Sequence, residues 1–568
     1  MRKFLAIALA TLLTLSLAAC GGNDAADSSA PVADDSTVSV PDTPSASTST
    51  TSDGKTSATS SSSSSSRTTS TTTATKAPTL PTNGDWEKPV TINTAVLYNK
   101  KNGAYDKEAE AMRQSILNTR DTLKASGNGK TYYVSYRGND QNDGLTPNTP
   151  FLTAGKLTSI ALTPGSVVLF ERGGVYRDVS ISVMNGVSYG AYGKGVKPQL
   201  LGSDKSYADE KLWEKTSTAN VWRAKVPDPN NKITSGDRIE DIGNIVFDHG
   251  KICASDGKKL SLGKLAKDYD FYHDAKANYV YLYLSKGNPG KLHTAIEVSP
   301  NEPIFRSNST SNNTFENLCL KYTGGHGIGL TGNTNTTVRG CEIGYIGGSM
   351  LDKITRYGNG IEFFGVVDGA LVENNWIYQC FDAGYTNQGE VGYQKNITVK
   401  NNLMEYSPYN IEIWDGDEEG KTGFENCIYE NNILRFAGYG FGSCNRIGSS
   451  LSAVGNISSY DYTVFSKNFV IRNNILDGSL HYVLLSCYPN VNGLGPVIKG
   501  NTWVQMAYKA SENTAGIQEA VTKHQATPCV GQIANNGTAK TYKVSSLAEM
   551  KEAVALFDSA PAKIVYLG

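Results

Sequence analysis

From Asn313 to about Gln505 the chain repeats one short pattern: an apolar residue, a polar one, Asn-Asn or a near variant, then apolar residues. It reads Phe315-Glu316-Asn317-Leu318, Val338-Arg339-Gly340-Cys341, Val372-Glu373-Asn374-Asn375, Val399-Lys400-Asn401-Asn402, Tyr429-Glu430-Asn431-Asn432, Ile471-Arg472-Asn473-Asn474 and Ile498-Lys499-Gly500-Asn501. Successive copies lie 23, 34, 27, 30, 42 and 27 residues apart, the spacing of a solenoid whose longer copies extrude loops. A second pattern follows each copy, as in His326-Gly327-Ile328-Gly329-Leu330, Asn359-Gly360-Ile361-Glu362-Phe363, Tyr409-Asn410-Ile411-Glu412-Ile413 and Tyr439-Gly440-Phe441-Gly442-Ser443. Its period of two predicts short strands rather than helices. Asn at the corners suits a left-handed backbone and can bond the main chain, so the asparagines mark turns rather than chemistry.

Elsewhere the periodicity changes. Asp106 to about Lys124 has Ala109, Met112, Ile116, Leu117 and Leu123 at helical spacing, stopped by Gly127-Asn128-Gly129. A helix here is expected to cap the open end of the solenoid, which would otherwise expose its core and strand edges. Residues 204–296 lose the repeat but carry strand-like runs, including Tyr279 to Tyr283, and predict a small inserted antiparallel β domain. Residues 511–568 end in a helical stretch and a strand that cap the other end.

The predicted fold is therefore all-β: a parallel β-helix solenoid over 131–203 and 297–510, with the inserted domain and helical capping segments, the first over 84–130. The order Thr131-Tyr132-Tyr133-Val134-Ser135, Gly138 to Pro147, Pro164-Gly165-Ser166-Val167-Val168-Leu169-Phe170 and Gly173-Gly174-Val175-Tyr176-Arg177 resembles the first coils of the right-handed parallel β-helix proteins of the pectate-lyase-like superfamily. The resemblance implies that fold and a carbohydrate-active protein, because the superfamily includes polysaccharide lyases and glycoside hydrolases. It does not choose among their reactions.

Composition adds the setting. Residues 1–20 have Arg2-Lys3, an apolar run from Phe4 to Leu17, then Leu17-Ala18-Ala19-Cys20, a secretory signal that resembles a bacterial lipoprotein leader with Cys20 as the lipidated residue. Residues 21–83 are Ser, Thr, Ala, Asp and Pro with almost no aromatic residue, a disordered tether. Together they predict a membrane-anchored lipoprotein at the extracellular face of a bacterial cell. The near-balance of 53 basic and 54 acidic residues argues against a nucleic-acid partner. A monomer acting on a polysaccharide or oligosaccharide is the expected state. Nine cysteines without a Cys-x-x-Cys spacing suggest buried thiols rather than zinc or a disulfide framework.

The candidate chemistry follows from strand parity. If Ile361 and Ile411 point inward, Glu362 and Glu412 point outward on one column two coils apart, with Tyr385 expected between them. Asp382 and Asp415 flank the same face. These four acids are the catalytic candidates, since paired carboxyls cleave glycosides by acid and base catalysis. Tyr385, Tyr409, Trp414 and Tyr439 are candidate sugar platforms, with Arg446 and His326 as polar substrate contacts. Asp415, Asp417 and Glu419 form the densest acidic stretch in the folded body and are the candidate ligands for Ca2+, the one cofactor considered.

Three functions are compatible with this set. The first is a glycoside hydrolase; the second is a calcium-assisted lyase acting on uronate-containing glycans with Arg446, Lys353, Arg356 or His326 as base; the third is a non-catalytic glycan-binding or adhesive surface protein.

Overall fold

The computed structural model describes residues 80–227, 241–351, 355–389, 392–415, 421–443, 454–459, 466–485, 495–507, 528–535 and 538–568. The body is a parallel β-helix whose coils each contribute strands to three faces. One coil runs Ile361–Phe364, Asp368–Glu373 and Trp376–Cys380; the next runs Ala383–Gly389, Gly392–Lys400 and Leu403–Glu405. The first two faces join around a corner into a 19-stranded sheet, and the third is a separate 10-stranded sheet.

Alternation decides what lies inside. Three stacked columns point inward: Ile328, Ile361, Tyr385, Ile411, Ile457 and Leu484 on the first face; Phe315, Val338, Val372, Val399, Tyr429, Ile471 and Ile498 on the second; Leu320, Ile343, Ile377, Met404, Leu434, Leu476 and Trp503 on the third. All belong to one continuous buried core.

The paired asparagines divide their labour. Asn374, Asn401, Asn431 and Asn473 take φ between 54° and 56°, the left-handed turn that Asn tolerates. Asn375, Asn402, Asn432, Asn474 and Asn501 are buried and form a ladder in which each backbone N–H donates to the Oδ1 of the next coil's asparagine, at 2.9 to 3.0 Å. Asp558 ends the ladder, its Oδ2 accepting from the Asn501 backbone N–H at 2.9 Å and from Trp503 Nε1 at 3.0 Å. An acceptor-only carboxylate suits that place, because the last coil has donors and no further asparagine. Beside the ladder runs an outward column whose charge alternates through Glu316, Arg339, Glu373, Lys400, Glu430 and Arg472 before ending on Lys499. Opposite charges on neighbouring strands favour this register.

The N-terminal segment lies elsewhere than at the solenoid's end. The helix Asp106–Leu117 runs against the outer side of the ten-stranded sheet, where Arg113 Nη2 lies 2.8 Å from Glu405 Oε1. Asp477 accepts the backbone N–H groups of Ala104 and Tyr105 at 3.0 and 3.1 Å, and Arg435 pairs with Asp106. The outer positions of that sheet explain this course: Trp376, Tyr378, Leu403 and Ile433 are apolar and are covered by Ile92, Leu97, Ala109 and Ile116. The helix stops at Leu117 rather than near Lys124, with Asn118 capping it through bonds to the Gln114 carbonyl. Beyond it, Glu316 accepts the Thr122 backbone N–H at 2.6 Å. At the other end, the helix Leu547–Val554 inserts Met550, Ala553 and Val554 into the main core.

Residues 213–215, 221–225, 271–274 and 279–283 form a four-stranded antiparallel sheet; 242–247, 252–253 and 296–300 form a three-stranded one. The two share a core around Tyr207, Trp213, Phe247, Phe271 and Val298. The expected strand at Tyr439–Ser443 is absent: Phe441–Ser443 is a helical turn, and Gly455–Ser459 pairs with Tyr409–Asp415 instead. Gln379 Oε1 takes the Phe441 N–H at 3.0 Å and so diverts that backbone from the ladder. No helix among the described residues is long and apolar enough to cross a membrane.

Candidate active site

The outward column next to the first inward one reads Arg306, Gly329, Glu362, Thr386, Glu412 and Ser458, one residue per coil. Glu362 and Glu412 therefore stand on one face with a single strand between them, about 9.5 Å apart at the backbone for two strand spacings. The intervening residue is Thr386, not Tyr385. Tyr385 is fully buried, with its hydroxyl on Asn387 Oδ1, which also accepts from Tyr429 at 3.0 Å. A shift of one residue exchanges the two faces of a strand, and Ala383, Tyr385 and Asn387 take the inward set.

The two glutamates occupy opposite environments. Glu362 has a side chain 17% exposed. Its Oε2 accepts from Asn359 Nδ2 at 2.7 Å, and its Oε1 lies 3.3 Å from His326 Nε2. Both neighbours favour the carboxylate. Glu412 is only 2% exposed. Burial first, and then the charges of Asp382 and Glu362, push its pKa up to about 8. The Gln388 amide acts the other way, donating to Oε2 at 2.7 Å, without cancelling the desolvation. The shift favours the protonated form of Glu412.

Asp382 precedes its strand with the parity of Thr386, and its charge acts on Glu412 more strongly than that of Glu362. Phe364, Gln388 and Trp414 form the next outward column, where Trp414 is largely buried. His326 is drawn in because its ring folds over Gly329: a Cβ at position 329 would lie 3.0 Å from His326 Cδ2.

Several expected residues sit elsewhere. Asp415 continues the inward parity of Ile411 and Ile413 and is buried, so it does not stand in the column of Glu412. Tyr409 and Tyr439 are buried in the apolar cluster shared with the N-terminal segment, where Lys101 Nζ lies 4.6 Å from the centre of the Tyr439 ring. They pack coils and offer no sugar platform. Arg356 is buried, bonding Gly348 O at 2.9 Å, Ser255 O at 3.1 Å and Gly243 O at 3.1 Å, and it ties the inserted domain to the solenoid. A guanidinium so buried and so bonded does not reach the outward column to act as a base. Arg446, Asp417, Glu419, Lys353 and Cys20 lie outside the described residues. Of the three proposed calcium ligands the described part supplies Asp415 alone, and no group of three metal-ligating side chains occurs among the described residues.

Sequence reasoning missed Thr386, Gln388, Asn359 and Arg306. Counting parity outward from Ile328 and Ile361 reaches Arg306 and Glu362 directly. Asn359 and Gln388 act through side-chain reach, which parity does not encode.

No protein-family model matches the sequence, and no curated protein matches it. Solved structures that resemble it include a complex of XylC with xylose, 13% identical, covering 77% of this chain and 82% of that one with a TM-score of 0.41. A glycoside hydrolase is 10% identical, covering 77% and 96% with a TM-score of 0.37. A family 28 exopolygalacturonase from Yersinia enterocolitica is 14% identical, covering 68% of each chain with a TM-score of 0.33. At these levels the likenesses assign no activity.

Proposed function

We propose that this protein is a glycoside hydrolase that cleaves a polysaccharide on the outward column, with Glu412 as general acid and Glu362 as general base. One observation carries the reading: two carboxyls stand on a single column, one buried with its pKa raised by desolvation, the other accepting from Asn359 Nδ2 and facing His326 Nε2. Glu412 gives its proton to the glycosidic oxygen as the bond to the anomeric carbon breaks. Glu362 takes a proton from the water that attacks that carbon from the opposite face. Glu412 is left ionised and Glu362 protonated, and exchange with solvent restores both. A backbone separation of about 9.5 Å leaves side chains room to approach the 6.5 to 9.5 Å of inverting enzymes, wide enough for the water.

The test is a panel of polysaccharides assayed for new reducing ends, with the anomer followed by proton NMR. Wild type should release reducing ends with inversion, and Glu412→Gln and Glu362→Gln should each lose about 10²- to 10⁴-fold in kcat. An unsaturated product absorbing in the ultraviolet would establish a lyase instead. Binding without product, unchanged in both variants, would establish a glycan-binding surface protein. Retention of configuration would move the second role to Asp382, one coil from Glu412 rather than two.

We further propose that lipid on Cys20 holds the folded body at the bacterial surface. Metabolic labelling with palmitate should mark the wild type and not Cys20→Ser; labelling of both would refute the anchor.

A further inference from the structure

The imidazole beside Glu362 has its protonation state written into the backbone. His326 Nδ1 accepts the Asn359 backbone N–H at 3.1 Å, so it carries no proton. The single proton of the neutral ring must then sit on Nε2, the nitrogen 3.3 Å from Glu362 Oε1. Asn359 serves twice, since its side-chain Nδ2 also donates to the other oxygen of Glu362, at 2.7 Å. One residue thereby orients both the carboxylate and the ring that faces it.

Two further contacts hold the ring. On one side it lies over Gly329, the only residue of the column without a side chain; a Cβ there would meet His326 Cδ2 at 3.0 Å and its Cβ and Cγ at 3.2 Å. On the other, Tyr357 stands edge-on at 4.9 Å between ring centres, fixed by its hydroxyl's 2.6 Å bond to Asn301 Oδ1. Glycine at 329 suits this packing, because a side chain there would press on the imidazole and force it to shift by a few tenths of an ångström.

We propose that His326 is a positioning residue: through a tautomer set by the Asn359 backbone and a seat left open by Gly329, it keeps Glu362 ionised and aimed along the column. This rests on the role given to Glu362 above. Among the described residues, the titratable and charged groups around the pair include Tyr357 at the ring edge, Arg306 and Glu302 on the preceding coil, paired at 2.7 Å, and Asp382 and Glu412 on the following coils. The two acids repel a charge on Glu362, and a donor at Oε1 opposes that repulsion.

The test has two arms on the full chain. In the first, kcat/KM is measured against pH for wild type, His326→Ala, His326→Gln and Gly329→Ala. Losing the donor raises the pH at which Glu362 ionises, so the acid limb should move up by about one to two pH units in His326→Ala. Below both limbs the rate should fall about tenfold per unit moved, with little change above them. His326→Gln, whose amide nitrogen can reach the place of Nε2, should move the limb back. Gly329→Ala adds no polar group, yet should shift the limb in the same direction by displacing the ring. An equal loss of rate at every pH, or an unmoved limb in His326→Ala, would overturn the proposal.

The second arm needs no turnover. Long-range proton–nitrogen spectra of a chain with six histidines should show His326 as the Nε2–H tautomer. Its titration should fall to lower pH in Glu362→Gln. An Nδ1–H tautomer, or a titration indifferent to that substitution, would overturn the inference. If no polysaccharide is cleaved, the hydrolase reading fails while this arm still decides the pairing.

Discussion

Replacing Asn432 by Ala tests the buried ladder against its surroundings. Asn432 Oδ1 accepts the Asn402 backbone N–H at 3.0 Å and Asn402 Nδ2 at 2.9 Å; its own Nδ2 donates to Val399 O and to Asn474 Oδ1, both at 2.9 Å. Alanine strands the Asn402 backbone N–H and one hydrogen of Asn402 Nδ2, whose other hydrogen keeps its bond to Val372 O at 2.9 Å. Each stranded group costs about 1–3 kcal/mol, so the two together predict a loss of about 2–6 kcal/mol. The backbone contributes little, because Asn432 is not in the left-handed region. The comparison is its neighbour Asn431, which is exposed and has φ 56°. Glycine adopts that φ freely, so Asn431→Gly should change stability by less than about 1 kcal/mol. Urea denaturation followed by circular dichroism measures both. Equal losses in the two variants, or an Asn432→Ala loss below about 1 kcal/mol, would mean that the stacked bonds are compensated by water and do not hold the coils.

Three further outcomes follow from named contacts. Asp558→Asn places an amide among N–H donors, with Gly500 N and Ala560 N on Oδ1 and Asn501 N and Trp503 Nε1 on Oδ2, and should cost about 2–4 kcal/mol by the same denaturation. Glu412 binds its proton more tightly folded than unfolded, with a pKa of about 8 against 4.5, so its contribution to stability is present below pH 4.5 and is lost as pH rises through about 8. Glu412→Gln should therefore flatten that slope and raise the melting temperature at pH 9 while turnover is lost; in the wild type, activity should fall as pH rises past about 8. Tyr385→Phe removes a core hydroxyl from Asn387 and should cost about 1 kcal/mol in denaturation while leaving polysaccharide affinity, measured by calorimetry, unchanged.

The repeat made the architecture legible because both of its signals are local. Alternation names which residues of a strand share a face, and an asparagine pair names a corner, so the inward columns and the ladder could be read from one coil at a time. Glu362 and Glu412 came from the same rule, each following an inward isoleucine. Tyr385 shows where the rule needs an origin: Ile361 and Ile411 follow Asn359-Gly360 and Tyr409-Asn410, whereas Asp382-Ala383-Gly384 before Tyr385 has no asparagine to set the inward parity. Tyr439, Phe441 and Asp415 were misplaced for a related reason, since a loop's return point depends on partners such as Gln379 that are remote in sequence.

The amino-acid sequence by itself determined the parallel coil, the corner asparagines and the column on which two glutamates stand, because each depends on a period of two and a short repeat. Tertiary structure alone decided which glutamate is buried with its pKa raised. That depends on the burial of Glu412, the nearness of Asp382, and a histidine from the preceding coil seated where Gly329 has no side chain. Charge and desolvation act through space, between residues that no local pattern connects.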